Sequence, residues 1–580
     1  MEMLEVKNLS FTYPGQQSPV LDGISFPVAK GDFLTICGET GSGKTTLLRL
    51  LKRELAPIGT RSGEITWRGI SQVREDGNPA PAAIGFVLQR PEEQIVTDRV
   101  WHELAFGPEN MGLPREAIRR RVSEMAAYFG MDDLFESETT KLSGGQKQLL
   151  NLAAIMVMQP EVLLLDEPTA QLDPIAAENF LTAVSRLNRE FGLTVIMIEH
   201  RTEQVLAVSD RLLFLRAGHL LACGQTRETV QKVCRFPEIL EGMPAAVRLY
   251  ARLALRGVPC PLTVREGQRM IETRYDNRVR SLPHAPYRPS GREALRFSSV
   301  FFRYEKSAPD VLRDLSFAVY EQEIFCILGG NGSGKSTAIA VAAGLLMPYA
   351  GSVRVFGKKC REYKNQTLYR SCLSLLPQDV QTAFLCNTVR EELADAGADA
   401  DTLPFDVSPW LDRHPYDLSG GQQQLLAMAK VLAQKPRLLL LDEPTKGLDA
   451  HAKAEWVAML RRLREGGMTV VVVTHDVELA AACADRCALF FRGEITSVDV
   501  PDRFFSGNRF YTTAASRMTR GYYDGIVTVE EAERICRANE MQEEGADARR
   551  SDRGVNGKAS EKVNDETSKK REGRGDDCDS

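Results

Sequence analysis

The residues from Gly38 to Thr45 read Gly-Glu-Thr-Gly-Ser-Gly-Lys-Thr, and those from Gly329 to Ser336 read Gly-Gly-Asn-Gly-Ser-Gly-Lys-Ser. Both stretches fit the pattern G-x-x-x-x-G-K-[ST], and each lies between an apolar run and a segment with helical spacing. In a strand–loop–helix context this pattern predicts a loop whose backbone N–H groups surround phosphate oxygens. Two copies with the same flanks favour two phosphate-binding loops over two ordinary glycine-rich turns.

The same further motifs follow each loop in the same order, so the chain is an internal duplication. They are Leu-Ser-Gly-Gly-Gln, an apolar run that ends in Asp-Glu-Pro-Thr, a Leu-Asp pair and an apolar run that ends in histidine. The first copy carries them at 142–146, 162–169, 172–173 and 195–200, and the second at 418–422, 438–445, 448–449 and 471–475. The serine of the first motif precedes the glutamate of the second by 24 residues in both copies.

The Asp-Glu pairs place two carboxylates at the end of a predicted core strand in each copy. Asp166 and Asp442 come directly after the apolar run, where a carboxylate can hold Mg²⁺ beside the phosphate loop. Glu167 and Glu443 follow, and we expect each to polarise or orient the water that attacks the γ-phosphate, as a general base. The alternative is an acidic pair that only ends a strand in solvent.

This ordered set of motifs resembles the ATP-binding subunit of ABC transporters over nearly all of residues 1–235 and 295–500. The continuous apolar runs are typical of parallel strands covered on both faces, so we expect an α/β fold. The resemblance implies two tandem P-loop nucleotide-binding domains of the ABC type, each with a helical subdomain and a small C-terminal appendage. It also implies ATP and Mg²⁺ as cofactors and an ATPase of the translocase class.

The resemblance assigns the remaining roles residue by residue. It implies that His200 and His475 are the switch histidines that contact the γ-phosphate. It implies that Gln89 and Gln378 contact Mg²⁺ and sense the membrane partner. It implies that Tyr13 and Tyr304 stack on adenine. Structural histidines and edge-strand tyrosines are the alternatives.

The predicted site residues fall into two matching sets, one from each copy. The predicted ATP-binding residues of copy one are Tyr13, Gly38, Glu39, Thr40, Gly41, Ser42, Gly43, Lys44, Thr45, Thr46, Gln89, Ser143, Gly144, Gly145 and Gln146. Those of copy two are Tyr304, Gly329, Gly330, Asn331, Gly332, Ser333, Gly334, Lys335, Ser336, Thr337, Gln378, Ser419, Gly420, Gly421 and Gln422. The predicted Mg²⁺ ligands are Thr45, Gln89 and Asp166 in copy one, and Ser336, Gln378 and Asp442 in copy two.

Each Ser-Gly-Gly-Gln segment precedes a helical run, at 147–158 and 423–433, so its N–H groups can bind an anion at a helix start. In the ABC family this segment lies on the ATP of the opposite domain. The resemblance therefore implies that the two halves pair head to tail within one chain. The Lys44 loop would share a nucleotide with Ser419–Gln422, and the Lys335 loop would share one with Ser143–Gln146.

Composition and charge restrict the class of protein further. The net charge of −5 gives no case for nucleic-acid binding, and the 12 cysteines contain no Cys-x-x-Cys pair, as expected in a reducing cytosol. The longest apolar runs fall well short of the ~18 residues of a membrane span, and the first residues lack the profile of a signal peptide. We expect a protein peripheral to the cytoplasmic face of the cell membrane, with membrane partners on other chains.

The repeat and the linker composition predict the order of domains. The phrase Thr263-Val264-Arg265-Glu266 recurs as Thr528-Val529-Glu530-Glu531, which indicates an appendage at the end of each half. We expect ATPase domain one at 1–235, its appendage at 236–280, a proline-rich linker at 281–294, domain two at 295–500, its appendage at 501–540 and a tail at 541–580. The tail is charged and free of aromatic residues, so we expect it to be disordered. A regulatory or docking tail is the alternative.

Gln89 and Gln378 match the family's Q-loop glutamine. The residues that follow them indicate which type of ABC transporter the chain resembles. The stretches Gln89–Val96 and Glu103–Asn110 resemble the ATPases of energy-coupling factor (ECF) importers, which take up vitamins, vitamin precursors and transition-metal ions. Such a module also has a transmembrane T component and a substrate-binding S component. The second copy is looser, because its segment lacks the Ala-Phe-Gly-Pro phrase. We expect Glu92, Glu93, Gln94 and Phe384 to line the groove that receives the T component.

Two other functions remain open at the level of sequence. One is the tandem ATPase of a sugar-type ABC importer, against which the ECF-like phrases argue. The other is a ribosome-acting tandem ABC protein, whose inter-domain linker is typically long, basic and helical. The linker at 281–294 is short and rich in proline, which favours the transporter over the ribosomal function. The sequence does not name the cargo.

Overall fold

The computed structural model describes residues 2–71, 80–255, 257–284, 287–363, 367–370, 372–400 and 403–540. The tail predicted at 541–580 and residues 285–286 of the predicted linker lie outside the described residues. Among the described residues, no helix has the length and apolar character needed to span a bilayer.

The first half alternates strands with helices and continues into a run of short helices. Its strands are β1 Glu2–Thr12, β2 Leu21–Ala29, β3 Phe33–Gly38, β4 Thr60–Trp67, β5 Ile70–Ser71, β6 Ile84–Val87, β7 Val162–Asp166, β8 Thr194–Ile198, β9 Arg211–Arg216 and β10 His219–Gln225. Its helices are α1 Lys44–Leu50, α2 Val100–Asn110, α3 Arg115–Tyr128, α4 Gly144–Val157, α5 Pro174–Phe191, α6 Thr202–Val205, α7 Thr226–Val233, α8 Pro237–Leu240, α9 Ala245–Arg252 and α10 Val264–Arg274.

The second half repeats this order with a shorter helical insertion. Its strands are β11 Glu293–Phe302, β12 Leu312–Tyr320, β13 Ile324–Leu328, β14 Ala350–Val355, β15 Lys358–Lys359, β16 Leu373–Leu376, β17 Leu438–Asp442, β18 Thr469–Thr474, β19 Arg486–Phe491 and β20 Glu494–Asp499. Its helices are α11 Lys335–Ala342, α12 Val389–Ala396, α13 Gly420–Ala433, α14 Ala450–Glu465, α15 Val477–Cys483, α16 Pro501–Gly507, α17 Ala514–Thr519 and α18 Val529–Ala538.

Two sheets build each half within the described residues. A six-stranded sheet has the order β10-β9-β3-β8-β7-β6 in half one and β20-β19-β13-β18-β17-β16 in half two, and a four-stranded antiparallel sheet packs beside it. Strands β7 and β17 are buried along their whole length, as expected of parallel strands with both faces covered. The two halves therefore have the predicted α/β architecture.

The register of the six-stranded sheet gathers the predicted site residues at one edge. In half one, Ile198 pairs with Ile36 on one side and with Asp166 on the other. In half two, Leu328 pairs with Thr474, and Asp442 pairs with Val473. The carboxyl ends of these parallel strands are thus level, and the phosphate loop, the Asp-Glu pair and the histidine follow them, at the edge where open α/β sheets bind ligands.

The helical subdomains differ between the halves. In half one, α2 and α3 pack on α4 through a core that includes Val100, Leu104 and Leu150. In half two, α12 packs on α13, and the described residues contain no counterpart of α3.

The predicted appendages are helical, and they pack against each other across the halves. Their shared core, called here the appendage interface, comprises Ala245, Ala246, Leu249, Met270, Ile271, Tyr275, Ala514, Ala515, Met518, Tyr523, Ile526, Val529, Ala532, Ile535 and Cys536. Ion pairs border it: Arg252 lies 2.8 Å from Glu530 and 3.3 Å from Glu533. The appendage interface therefore joins the two halves through their C-terminal segments.

Candidate nucleotide sites

Each phosphate loop turns sharply into its helix and folds its lysine back over itself. Gly43 and Gly334 take the left-handed conformation, with φ of 94° and 108°, directly before α1 and α11. Lys44 Nζ donates to the carbonyls of Gly38 and Glu39, and Lys335 Nζ donates to those of Gly329 and Gly330, all at 2.9 Å. Burial lowers the pKa of both lysines. Each loop is thus a closed cradle with its ammonium group at the centre.

Several polar atoms in these cradles lack protein partners, which fits a bound magnesium nucleotide. The buried hydroxyl oxygens of Ser42 and Ser333 have no hydrogen-bond partner among the described residues, and the same holds for Asp442 Oδ1. Thr45 Oγ1 donates to Asp166 Oδ1 at 3.1 Å. A hydroxyl beside a carboxylate at the loop is the oxygen-rich environment that Mg²⁺ prefers.

Burial also sets the titration of the two predicted Mg²⁺ carboxylates. It raises the pKa of Asp166 to about 6, with the charge of Glu167 adding to the effect, and it raises the pKa of Asp442. A divalent cation would stabilise the charged form of both carboxylates. The residues present therefore fit the cofactor that the resemblance implies.

The two predicted general bases share an unusual backbone conformation. The φ values of Glu167 and Glu443 are 45° and 51°, in the left-handed region that non-glycine residues rarely adopt. Such conformations cost of order 1–3 kcal/mol and cluster at functional sites. The strained turn aims each glutamate along the edge of the sheet, toward the histidine that follows the neighbouring strand.

At the site of the Lys44 loop, called the first site, the predicted residues meet. His200 Nε2 lies 2.9 Å from Glu167 Oε1, and Gln89 Nε2 donates to Glu167 Oε2 at 2.9 Å. Burial alone would raise the pKa of Glu167, but the hydrogen bond with His200 and the charge of the imidazole outweigh it, so the pKa is lowered. The glutamate is thus held as a carboxylate, which a general base requires.

At the site of the Lys335 loop, called the second site, the same residue types meet differently. His475 Nδ1 lies 2.8 Å from Glu443 Oε2, although the angle falls outside that of a hydrogen bond. Gln378 is exposed, and within the described residues it forms no counterpart of the bond from Gln89 to Glu167. The structure therefore brings His475 and Glu443 together but leaves Gln378 apart.

Both predicted adenine-stacking tyrosines stand beside their loops. Tyr13 Oη lies 3.0 Å from Thr46 Oγ1, and Tyr304 Oη lies 3.0 Å from Thr337 Oγ1. Tyr304 exposes 63% of its surface, so its ring has a free face. Stacking on adenine remains a prediction for both residues.

The Ser-Gly-Gly-Gln segments form the first turn of α4 and α13, so these helices begin at Gly144 and Gly420 rather than at 147 and 423. A reciprocal capping box explains the earlier start. Ser143 Oγ accepts from Gln146 N at 3.3 Å, and Ser419 Oγ accepts from Gln422 N at 3.4 Å. The predicted helix start is therefore present at each segment, and anion binding there stays a prediction.

One residue beyond the predicted set reaches across the halves at each site. The Asp449 carboxylate accepts from Thr40 Oγ1 at 2.6 Å at the first site, and Arg201 Nη2 lies 3.4 Å from His475 Nε2 at the second. The Leu-Asp pair is visible in the sequence, but its motifs assign no role to Asp449 or to Arg201. The signal for Arg201 is its position: the residue after the histidine is cationic in one copy and acidic in the other.

The groove residues expected from the ECF-like phrase are partly corrected. Glu92 and Glu93 are exposed as predicted, but Phe384 is only 6% exposed and belongs to the core of half two, so its predicted place in the groove is wrong. The neighbouring Leu385 is 82% exposed instead. Gln94 turns inward and binds the backbone of β6 and Leu88, accepting from Leu88 N at 2.9 Å.

Comparisons with known proteins agree with this geometry. The profile described as ABC transporter matches residues 21–170 and 312–446. An ABC transporter ATP-binding protein of Bacillus anthracis is 38% identical over 550 residues, which cover 93% of this chain and 98% of the relative. One of Streptomyces coelicolor is 34% identical over 528 residues, which cover 85% of this chain and 93% of that protein.

A solved structure shows the same tandem fold. It is that of an archaeal ribosome recycling factor, aABCE1, in complex with an archaeal ribosomal stalk protein. It has a TM-score of 0.55 and 19% identity, over 86% of this chain and 92% of that one, a likeness of fold alone. Together with the two relatives, whose length this chain spans almost completely, the duplicated sites lead to one conclusion: the chain belongs to the ATP-binding proteins of ABC transporters, whose nucleotide-binding domains are ATPases that use ATP with Mg²⁺.

Proposed function

We propose that this chain is the ATP-hydrolysing motor of an ECF-type importer, with two ATPase domains in one polypeptide. Its partners would be a transmembrane T component and a substrate-binding S component, and its cargo a vitamin, a vitamin precursor or a transition-metal ion. It would act at the cytoplasmic face of the cell membrane. The observation that carries the proposal is a short chain of contacts that connects the first site with an exposed surface.

That path runs through the segment after β6. Gln89 binds the general base Glu167 at 2.9 Å, and three residues later Glu92 is exposed and lies 3.0 Å from Lys147 on α4, the helix that begins with Gly144. A partner that pulls on Glu92 would therefore act on the catalytic base and on the Ser-Gly-Gly-Gln helix together. Coupling between ATP and transport needs such a two-way link.

Exposed apolar side chains lie on the same segment and on the helix beyond it. Val96, Phe106 and Met111 are exposed in half one, and we call them the first docking patch; Leu385 and Tyr416, the second docking patch, are exposed in half two. Protein interfaces are often lined by exposed apolar side chains of this kind. The first patch falls within the ECF-like phrases 89–96 and 103–110 and just beyond them, which supports a T component as its partner.

The chemical step follows from the residues that the sheet edge gathers. The loop N–H groups and Lys44 or Lys335 would hold the phosphates, and the hydroxyl and aspartate beside them would hold Mg²⁺, which supplies charge neutralisation at the phosphates. Glu167 or Glu443 would orient the attacking water and accept its proton, while the histidine fixes the glutamate. We propose that each site also takes the Ser-Gly-Gly-Gln helix start of the other half, as the contact between Asp449 and Thr40 supports.

Purification of the native complex from membranes tests the proposal. We expect detergent-extracted chain to co-purify with one multi-span protein and with one or more small membrane proteins that carry a bound vitamin, precursor or metal ion. Recovery with a periplasmic sugar-binding system or with ribosomes would replace the proposal with one of its alternatives. A variant with Glu190 changed to Gln, on the exposed face of α5, serves as the control for recovery.

A further inference from the structure

Arg201 contacts both halves of the chain, and among the described residues it does so at the second site and not at the first. It follows the switch histidine of half one and stands at the start of α6. Its Nη2 donates to the carbonyl of Leu172, in the Leu-Asp pair of half one, at 2.8 Å. The same nitrogen lies 3.4 Å from Nε2 of His475, which belongs to half two. One guanidinium nitrogen, with its two N–H bonds, therefore bridges the halves.

The chemistry of the guanidinium fixes the proton on His475. Arginine has only donors, so the Nε2 atom that faces it must offer a lone pair. A neutral imidazole then carries its proton on Nδ1. Nδ1 lies 2.8 Å from Glu443 Oε2, where a proton is attracted to the carboxylate and a lone pair would be repelled. Both neighbours of the ring therefore select the same tautomer.

The first site uses the other ring nitrogen. There Nε2 of His200 lies 2.9 Å from Glu167 Oε1, so a proton on Nε2 is the one that bonds the general base. The two sites thus contain the same residue types but turn different nitrogens of the histidine toward their general bases. Each motif is complete in both copies, so the difference lies in how the residues are arranged and not in their identity.

The residue that matches Arg201 in half two cannot donate a hydrogen bond to the histidine of half one. It is Asp476, whose carboxylate accepts from Lys453 Nζ at 2.6 Å and from the N–H groups of Glu478 and Leu479 at the start of α15. Asp476 is therefore committed to its own half. Among the described residues, His200 has no cationic partner equivalent to Arg201.

We propose that Arg201 is a positioning residue that acts across the halves on the second site only. It donates to Nε2 of His475 and so holds the ring with Nδ1 toward Glu443, which keeps the imidazole and Glu443 in the arrangement needed for hydrolysis. The two ATP sites of this chain are therefore unequal by construction, and the second depends on a residue of half one. This inference rests on the ATPase activity and not on the identity of the transporter.

Turnover measured one site at a time tests the proposal. In the full chain, E167Q removes the general base of the first site, so the turnover that remains is that of the second site. E443Q removes the general base of the second site, so the turnover that remains is that of the first. With E167Q, we expect R201Q to lower kcat by about 10–100-fold, a loss of the size seen when the orienting partner of a metal-bound histidine is removed, with KM changed less than threefold. With E443Q, R201Q should change kcat less than twofold. R201K keeps a cationic donor and should recover part of the loss.

A spectroscopic readout keeps the test independent of turnover. In the full chain labelled with ¹⁵N-histidine, the ring signals of His475, identified by their loss in H475Q, should show a protonated Nδ1 and a bare Nε2. R201Q should shift this pattern toward a protonated Nε2 and leave His200 unchanged. The control is R186Q, which removes an exposed arginine that pairs with Glu190 on α5. An unaltered His475 pattern in R201Q, or an equal loss of kcat at both sites, would overturn the proposal.

Discussion

The Asp449 carboxylate accepts two hydrogen bonds from Thr40, one from Oγ1 at 2.6 Å and one from the backbone N at 3.4 Å. Thr40 belongs to the phosphate loop of half one, and Asp449 stands at the start of α14 in half two. Leu448, the residue before Asp449, lies against Gly421 in the first turn of α13; a Cβ on Gly421 would come within 3.1 Å of it. The contact therefore draws the Ser-Gly-Gly-Gln segment of half two toward the Lys44 loop.

This arrangement predicts that a substitution in the Ser-Gly-Gly-Gln segment of one half impairs the site built on the phosphate loop of the other half. Ser419→Arg should impair hydrolysis at the first site, and Ser143→Arg at the second, because a bulky cation at the helix start blocks contact with the γ-phosphate. We expect a loss of about 10²–10³-fold at the affected site, the range for removing an electrostatic donor. Turnover in E443Q and E167Q backgrounds reports each site. If each arginine impairs the site in its own half, the head-to-tail pairing is wrong.

The general bases give a second prediction. Glu167→Gln combined with Glu443→Gln should abolish most Mg²⁺-dependent ATPase activity, since losing a general base typically costs ~10²–10⁴-fold in rate. ATP binding should persist, because Lys44 and Lys335 stay in place, and the halves should stay closed on bound ATP. Equilibrium binding and phosphate release measure the two effects separately. Near-normal turnover in the double variant would reject the assignment, and Glu190→Gln, on an exposed helix face, should behave like the parent.

The appendage interface gives a prediction about stability. Met518 is fully buried, and its Sδ lies so close to Gly267 that a Cβ on the glycine would come within 2.3 Å of it. Met518→Ala should cost about 2–5 kcal/mol, since removing buried methylenes loses their transfer free energy and leaves a cavity.

The measurement is thermal unfolding of the full chain with and without ATP. Met347→Ala, at a side chain that is 63% exposed, is the matched control and should change stability by less than ~0.5 kcal/mol. If both variants unfold at the same temperature as the parent, the appendages do not support the closed arrangement of the halves.

Much of the fold and of the site could be predicted from the sequence, because the motifs carry their own structural context. The loops at Lys44 and Lys335, the Asp-Glu pairs and the histidines all follow apolar runs, and parallel strands end at one edge of a sheet. The apolar runs that end at Asp166 and Asp442 form β7 and β17, as expected of buried parallel strands.

Contacts between distant parts of the chain could not be predicted in this way. The bond between Thr40 and Asp449 joins residues 409 positions apart, and the approach of Arg201 to His475 depends on how the halves dock. The prediction for Phe384 is wrong because a hydrophobic residue in a loop can pack into the core or contact a partner equally well. Only its neighbours show that the side chain packs inward and that Leu385 takes the exposed position.

The last prediction concerns coupling to the membrane subunits. Charge reversal at Glu92 and Glu93 should leave ATP binding unchanged, because neither side chain belongs to the phosphate or Mg²⁺ set. Leu385→Asp should do the same in half two, since it places a charge on an exposed side chain of the second docking patch. All three changes should lower uptake or assembly of the complex, because an interface loses affinity when its apolar centre is charged or its ion pairs are reversed.

The measurements are co-purification with the membrane subunits and uptake in cells, alongside ATPase activity of the isolated chain. Phe384→Leu is the matched control: this side chain is buried, so the change should act on stability and leave assembly intact. Glu92 also pairs with Lys147, so Lys147→Glu should restore part of the loss if that ion pair, rather than a contact with the partner, explains it. If the charge-reversed chain assembles and transports like the parent, this surface does not couple ATP hydrolysis to transport, and the proposal of an ECF motor loses its mechanical basis.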